Sequence, residues 1–144
     1  LGKIILFLSA GIIATQTGIK NVSEMNNLSS KLPITCLLMS IGAIIMIGLP
    51  PTIGFISKWY LLLGIVESEK LYLLFVIILS TLLNASYYFP MIYKAYFEKE
   101  KFSYKGSSCE NIILAFPVIL IGFIAVFIFF KTDFIVKFIT EQII

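Results

Sequence analysis

Four stretches of the chain carry no charged residue, Ile4 to Ile19, Leu32 to Ser57, Leu71 to Tyr93 and Asn111 to Phe130, and short polar clusters separate them. A helix needs roughly 20 apolar residues to cross a hydrocarbon core ~30 Å thick, and three of these stretches reach or approach that length. The pattern predicts an all-α fold, a polytopic transmembrane helix bundle of about four spans near 1–15, 33–66, 71–97 and 112–130. The whole of 1–144 reads as one membrane domain.

The second stretch does not fit a plain span. From Pro33 to Val66 the only charge is Lys58, and a single helix of that length would measure about 50 Å, too long for one crossing and too short for two. Near its middle, Gly48-Leu49-Pro50-Pro51-Thr52-Ile53-Gly54 removes two amide donors and supplies two permissive glycines. The segment should therefore be a discontinuous helix with halves near Pro33–Ile47 and Phe55–Val66. Non-helical backbone at membrane depth is tolerated only where protein buries it or water reaches it. Broken helices thus point to an ion path.

The other spans carry weaker signals. The first, Leu1 to about Thr15, has the look of the second half of a longer helix. Because the first residue is Leu rather than Met, an upstream portion is expected; the alternative is a secretory signal, with Lys3 and Ile4 to Ala14 as its two regions. In the third span Pro90 should kink the last turns. Ser80, Asn84 and Tyr87 or Tyr88 form one polar stripe at helical spacing, serving either interhelical hydrogen bonds or a face that meets water. Beyond Lys131, charges alternate with Phe134, Ile135, Phe138 and Ile139, as in a short interfacial helix.

Composition narrows the function classes. Hydrophobic residues make up 59% and charged residues 13% of the chain, and the mean hydropathy is +1.00, so a soluble enzyme is nearly excluded. There is no His, which removes imidazole catalysis and His-based zinc sites within this chain. Cys36 and Cys109 have neither CxxC spacing nor metal-ligand companions and read as structural. No cofactor and no metal are expected, and a net charge of +3 is too small to argue for nucleic acid.

Every basic residue is Lys, and the lysines set an orientation. Lys20, Lys31, Lys94, Lys99, Lys101 and Lys105 fall on one side, against Lys70, Lys131 and Lys137 on the other. Loops 16–32 and 98–111 should be cytoplasmic, with the C-terminus on the opposite face.

Two lysines remain inside the predicted spans. Lys58 lies eight residues beyond Pro50, between Gly54-Phe55-Ile56-Ser57 and Trp59-Tyr60. Burying its ammonium costs at least ~2.5–3.5 kcal/mol unless water, a partner or deprotonation relieves it. It is either a group that loses and regains a proton or one that snorkels to the interface beside the aromatic pair. Lys3 lies about 20 Å along its helix from Gln16, close to mid-membrane, and should face a hydrated interior or an acidic partner from another segment.

The run Leu49-Pro50-Pro51-Thr52-Ile53-Gly54-Phe55-Ile56-Ser57-Lys58-Trp59-Tyr60-Leu61 resembles the discontinuous twelfth helix of the antiporter-like subunits shared by respiratory complex I and the Mrp-type cation/proton antiporters. Lys3 to Gly11 is similar to the eleventh helix of that family, and Asn84 to Pro90 with Tyr93 to Phe97 is similar to the thirteenth. The resemblance implies helices eleven to fourteen of a fourteen-helix subunit. It implies that Lys58 is the terminal proton carrier and Lys3 part of a central hydrated axis. Ser57, with the carbonyls around Pro50, Pro51, Thr52 and Gly54, would help hold water at the break.

The implied function is proton translocation in a monovalent cation/proton antiporter, nearest in wording to an Mrp D-like subunit. The alternatives are a proton-pumping subunit of NADH-quinone oxidoreductase and a non-transporting scaffold remnant. A chain ending soon after the fourteenth helix points away from the longest subunits of either system. The implied partners are other membrane subunits of a hetero-oligomeric complex, the N-terminal helices of the same subunit, the lipid bilayer, protons, and Na+ or K+. The implied location is a bacterial inner membrane. The family's glutamate and lysine pair belongs to helices outside this sequence, so the chain alone should not complete a transport cycle.

Overall fold

The computed structural model describes residues 1–19, 21–98 and 110–132. Lys20, Lys99, Lys101, Lys105 and Lys137, on which part of the orientation argument rests, lie outside the described residues, as do Cys109 and the tail beyond Thr132. Among the described residues five α-helices follow one another: α1 (Gly2–Thr17), α2 (Pro33–Ile47), α3 (Ile53–Glu67), α4 (Tyr72–Phe97) and α5 (Ile112–Phe130). Two short 3-10 turns, Val22–Glu24 and Leu28–Ser30, lie between α1 and α2, and there is no strand among the described residues.

Local chemistry sets the helix ends. α1 runs two residues past the predicted Thr15 because Gly18, at φ 73°, is the first residue able to turn left-handed, and its amide bonds Ala14 O at 3.0 Å. α2 starts on Pro33, which has no amide to leave unsatisfied, and ends at Gly48, φ 79°. α3 begins two residues before the predicted Phe55 because Thr52 caps it, its side chain accepting from the Phe55 amide at 3.4 Å. α4 retains Pro90 and α5 retains Pro117 within their helices.

α4 and α5 are long and apolar enough to cross a bilayer, while α1 and α2 are shorter apolar helices. The outward faces carry large apolar side chains, among them Ile113 at 85% and Phe97 at 74% exposure. Such faces suit hydrocarbon, and the chain is an integral membrane protein.

α1 and α2 pack closely through glycines. A Cβ on Gly42 would stand 3.1 Å from both Ile5 and Leu6, and one on Gly2 would stand 2.9 Å from Ile45. Close backbone approach at small residues is the usual means of helix association in lipid. Ile13, Leu28, Leu32, Cys36, Met39 and Ala95 form one buried cluster, and Ile5, Ile12, Leu38, Val118 and Ala125 form a second.

A polar clasp ties the end of the bundle where α1 finishes and α2 and α5 begin. Glu110 accepts from the amides of Ile34 at 2.9 Å and Thr35 at 2.7 Å and from the Thr35 hydroxyl at 2.5 Å. These are first-turn groups that α2 cannot satisfy internally, and a carboxylate there complements the helix dipole. The Asn111 amide donates to the Gln16 side chain at 3.4 Å, joining the ends of α1 and α5. This clasp fixes α2 at one end, and the helix break lies at the other.

Candidate functional site

The break is built from the last turn of α2 and the first of α3. The amides of Gly48 and Leu49 both bond Ile44 O, at 2.9 and 3.3 Å, closing α2. Pro50 and Pro51 follow, joined by a cis peptide bond. Neither proline has an amide to donate. The Thr52 hydroxyl donates to Leu49 O at 2.7 Å, so Thr52 ties the two half-helices together while capping the second. The chain then folds back so tightly that a Cβ on Gly54 would lie 1.9 Å from the carbonyl oxygen of Ile45. Only glycine fits there.

Lys58 reaches back across this break. Its Nζ donates to Ile47 O at 2.7 Å and to Thr81 Oγ1 of α4 at 3.0 Å. Ile47 is the last residue of α2, so the ammonium serves a carbonyl left without a helical partner, at the negative end of the helix dipole. The aliphatic stem lies against Gly48, where a Cβ would stand 3.0 Å from Lys58 Cδ. Both acceptors of the ammonium are neutral. The arrangement gathers α2, α3 and α4 around one half-buried charge.

Ser57, expected near water at the break, is exposed and donates to Ile53 O of its own helix at 3.2 Å. Trp59 and Tyr60 are each about half exposed. Lys3 is exposed on α1 and lines a groove of about 650 Å³ with Phe7, Ala10, Met39, Tyr87 and Tyr88. That groove does not include Lys58. The polar stripe is thereby divided: Tyr87 and Tyr88 face the Lys3 groove, Ser80 is exposed and Asn84 is half-buried.

Two residues of the arrangement escape a reading of the sequence. Thr81 is the neighbour of Ser80, and a hydroxyl one residue along a helix points some 100° away, so only packing decides which of the two meets Lys58. Tyr88 lies seven residues beyond it, on the same helical face. Glu110 lies 76 residues from Ile34 in the chain. A single acidic residue in a polar loop carries no sign of which helix end it caps.

The family described as NADH:quinone oxidoreductase/Mrp antiporter, TM, matches residues 1–84, a region that takes in Lys3, the break, Lys58 and Thr81. The chain belongs to this family. It is 43% identical over 91 residues to NADH-quinone oxidoreductase subunit N of Desulforudis audaxviator, covering 63% of this chain and 18% of that protein. It is 34% identical over 85 residues to the subunit N of Pelagibacter ubique, covering 59% of this chain and 18% of that protein. It is also similar to one subunit of the Na(+)/H(+) antiporter of Alkalihalophilus pseudofirmus, at 28% identity over 138 residues, 87% of this chain and 17% of that protein. The chain spans less than a fifth of the length of these relatives. Relatives in this membrane family thus carry names from both the quinone oxidoreductases and the antiporters.

Proposed function

We propose that the chain forms part of a proton-translocating membrane subunit in which Lys58, at the helix break, carries the proton. The observation behind this reading is the return of the Lys58 ammonium to the free carbonyl of Ile47, with Thr81 as its second acceptor. Among the described residues the lysine is held by a carbonyl and a hydroxyl, with no bonded counter-charge, so its protonation can answer to charges that change elsewhere in the assembly. A fixed ion pair would resist such a change.

Lys3 is the preceding relay in this proposal, reaching Lys58 through water along a hydrated axis. Its placement in a groove beside Tyr87 and Tyr88 supports that role. The partners are the remaining helices of the subunit and other membrane subunits, and loops 16–32 and 98–111 face the cytoplasm of a bacterial cell. The finer assignment is a monovalent cation/proton antiporter of Mrp D-like type, moving Na+ or K+ against protons. The second reading, an antiporter-like subunit of NADH-quinone oxidoreductase, is favoured by the 43% identity to subunit N.

Both readings are tested by proton flux across sealed vesicles holding the complete subunit in its complex. Lys58→Ala is expected to abolish flux while assembly stays normal. Unchanged flux would contradict the relay. Co-purifying chains decide between the two assignments: flavin and iron–sulfur subunits belong to the oxidoreductase, whereas small membrane partners without redox centres belong to the antiporter.

A further inference from the structure

We infer that Thr81 is a positioning residue that bonds Lys58 in both of its protonation states by reversing the direction of one hydrogen bond. The inference rests on Lys58 acting as a proton carrier, and it names the group that holds the carrier between transfers.

The geometry carries it. Thr81 Oγ1 accepts from Lys58 Nζ at 3.0 Å and donates its own proton to Ile77 O, one turn earlier in α4, at 2.9 Å. A hydroxyl has one donor and two acceptor sites. Here the donor is used on Ile77, and a lone pair is left facing the ammonium. Of the three ammonium protons, two are directed to Ile47 O and Thr81 Oγ1, and the third is available to a water molecule.

When that water takes the proton, Nζ becomes a neutral amine with two N–H bonds and one lone pair. Ile47 O can only accept, so it bonds an N–H in either state. The amine turns by about 120° around Cε–Nζ, which keeps one N–H on Ile47 O, sends the other to the water and brings the lone pair to Thr81, whose hydroxyl turns from Ile77 O and donates to it. Ile77 O loses little, because the backbone amide four residues on bonds the same carbonyl in a regular helix. On reprotonation the hydroxyl returns to Ile77 and accepts again. Over the cycle one proton leaves to water and one arrives from water, and each hydrogen bond returns to its starting partner.

Thr81 therefore keeps the amine seated at the break whichever form it takes. Ser80, one residue away, is exposed and makes no bond to Lys58. It provides a control with the same chemistry at the wrong angle.

The test uses the full-length parent protein, assembled in its complex and reconstituted in sealed vesicles, with proton flux as the readout. Thr81→Val keeps the volume and removes the hydroxyl, and it is expected to lower flux about tenfold at normal assembly. Thr81→Ser restores the hydroxyl and is expected to stay within about twofold of wild type, as is Ser80→Ala. Thr81→Ala provides the same comparison if the valine variant does not assemble. Equal losses in Thr81→Val and Thr81→Ser would overturn the inference, since the fit of the whole threonine side chain, and not its hydroxyl, would then explain them. Wild-type flux in Thr81→Val, with flux abolished in Lys58→Ala, would overturn the inference and leave the relay standing. Wild-type flux in Lys58→Ala would overturn both.

Discussion

Lys58 Nζ stands 2.7 Å from the carbonyl oxygen of Ile47, eleven residues earlier in the chain. The lysine of the second half-helix thus closes the open end of the first. An unpaired carbonyl and an unpaired ammonium are each costly at membrane depth, and each relieves the other. The same contact makes the lysine sensitive to the geometry of the break, because any change in the angle between α2 and α3 alters the distance between the two groups.

Gly54 sets that angle. A methyl group at this position would meet the Ile45 carbonyl oxygen at 1.9 Å, well inside any tolerable contact, and the obstacle is backbone rather than a movable side chain. Overpacking of this kind costs about 3 kcal/mol or more. Gly54→Ala is expected to reduce the yield of assembled protein and to abolish proton flux in what remains. Normal yield with normal flux would show that the half-helices need not approach so closely.

Gly48 separates two demands in one residue. Its φ of 79° favours glycine, and its open side accommodates the Lys58 stem. Asn tolerates the left-handed conformation better than Ala does. Gly48→Asn should therefore retain most of the stability, within about 1 kcal/mol, yet push Lys58 from its seat and lower flux several-fold. Gly48→Ala should lose both. Measurements of thermal stability and flux on the two variants separate these effects.

Glu110 should matter for stability and not for transport chemistry. Glu110→Ala leaves two first-turn amides and the Thr35 hydroxyl without their acceptor, a loss of about 2 kcal/mol. Cys36, buried one residue beyond Thr35, should then react faster with a membrane-permeant thiol reagent. Equal labelling of Cys36 in both proteins would show that Glu110 does not hold this end of α2.

Lys3 is expected to behave in the opposite way. It is exposed in its groove, so Lys3→Ala should change stability by no more than about 0.5 kcal/mol, while flux falls at least about tenfold. Full flux in this variant would remove Lys3 from the path.

The helix break was legible in the sequence because its causes are local. Two prolines remove amide donors and flanking glycines permit the turn, so the end of α2 at Ile47 follows from residues 48–54 alone. The last span was equally plain, since Ile112 to Phe130 is uncharged and bounded by polar residues. The partners of Lys58 were not legible, because they depend on how α4 rotates against α3. Helical spacing identified a polar stripe but not which hydroxyl of Ser80 and Thr81 would face the break. The clasp at Glu110 was hidden for the same reason, as it joins segments far apart in the chain.

The central claim is that the amine of Lys58 carries the proton, and the most direct measurement is proton flux in sealed vesicles containing the complete complex with Lys58→Ala or Lys58→Met. Met preserves the apolar stem beside Gly48 and removes the charge. The account predicts that both variants assemble normally and conduct no protons above background. Flux at the wild-type rate in assembled Lys58→Met would contradict it.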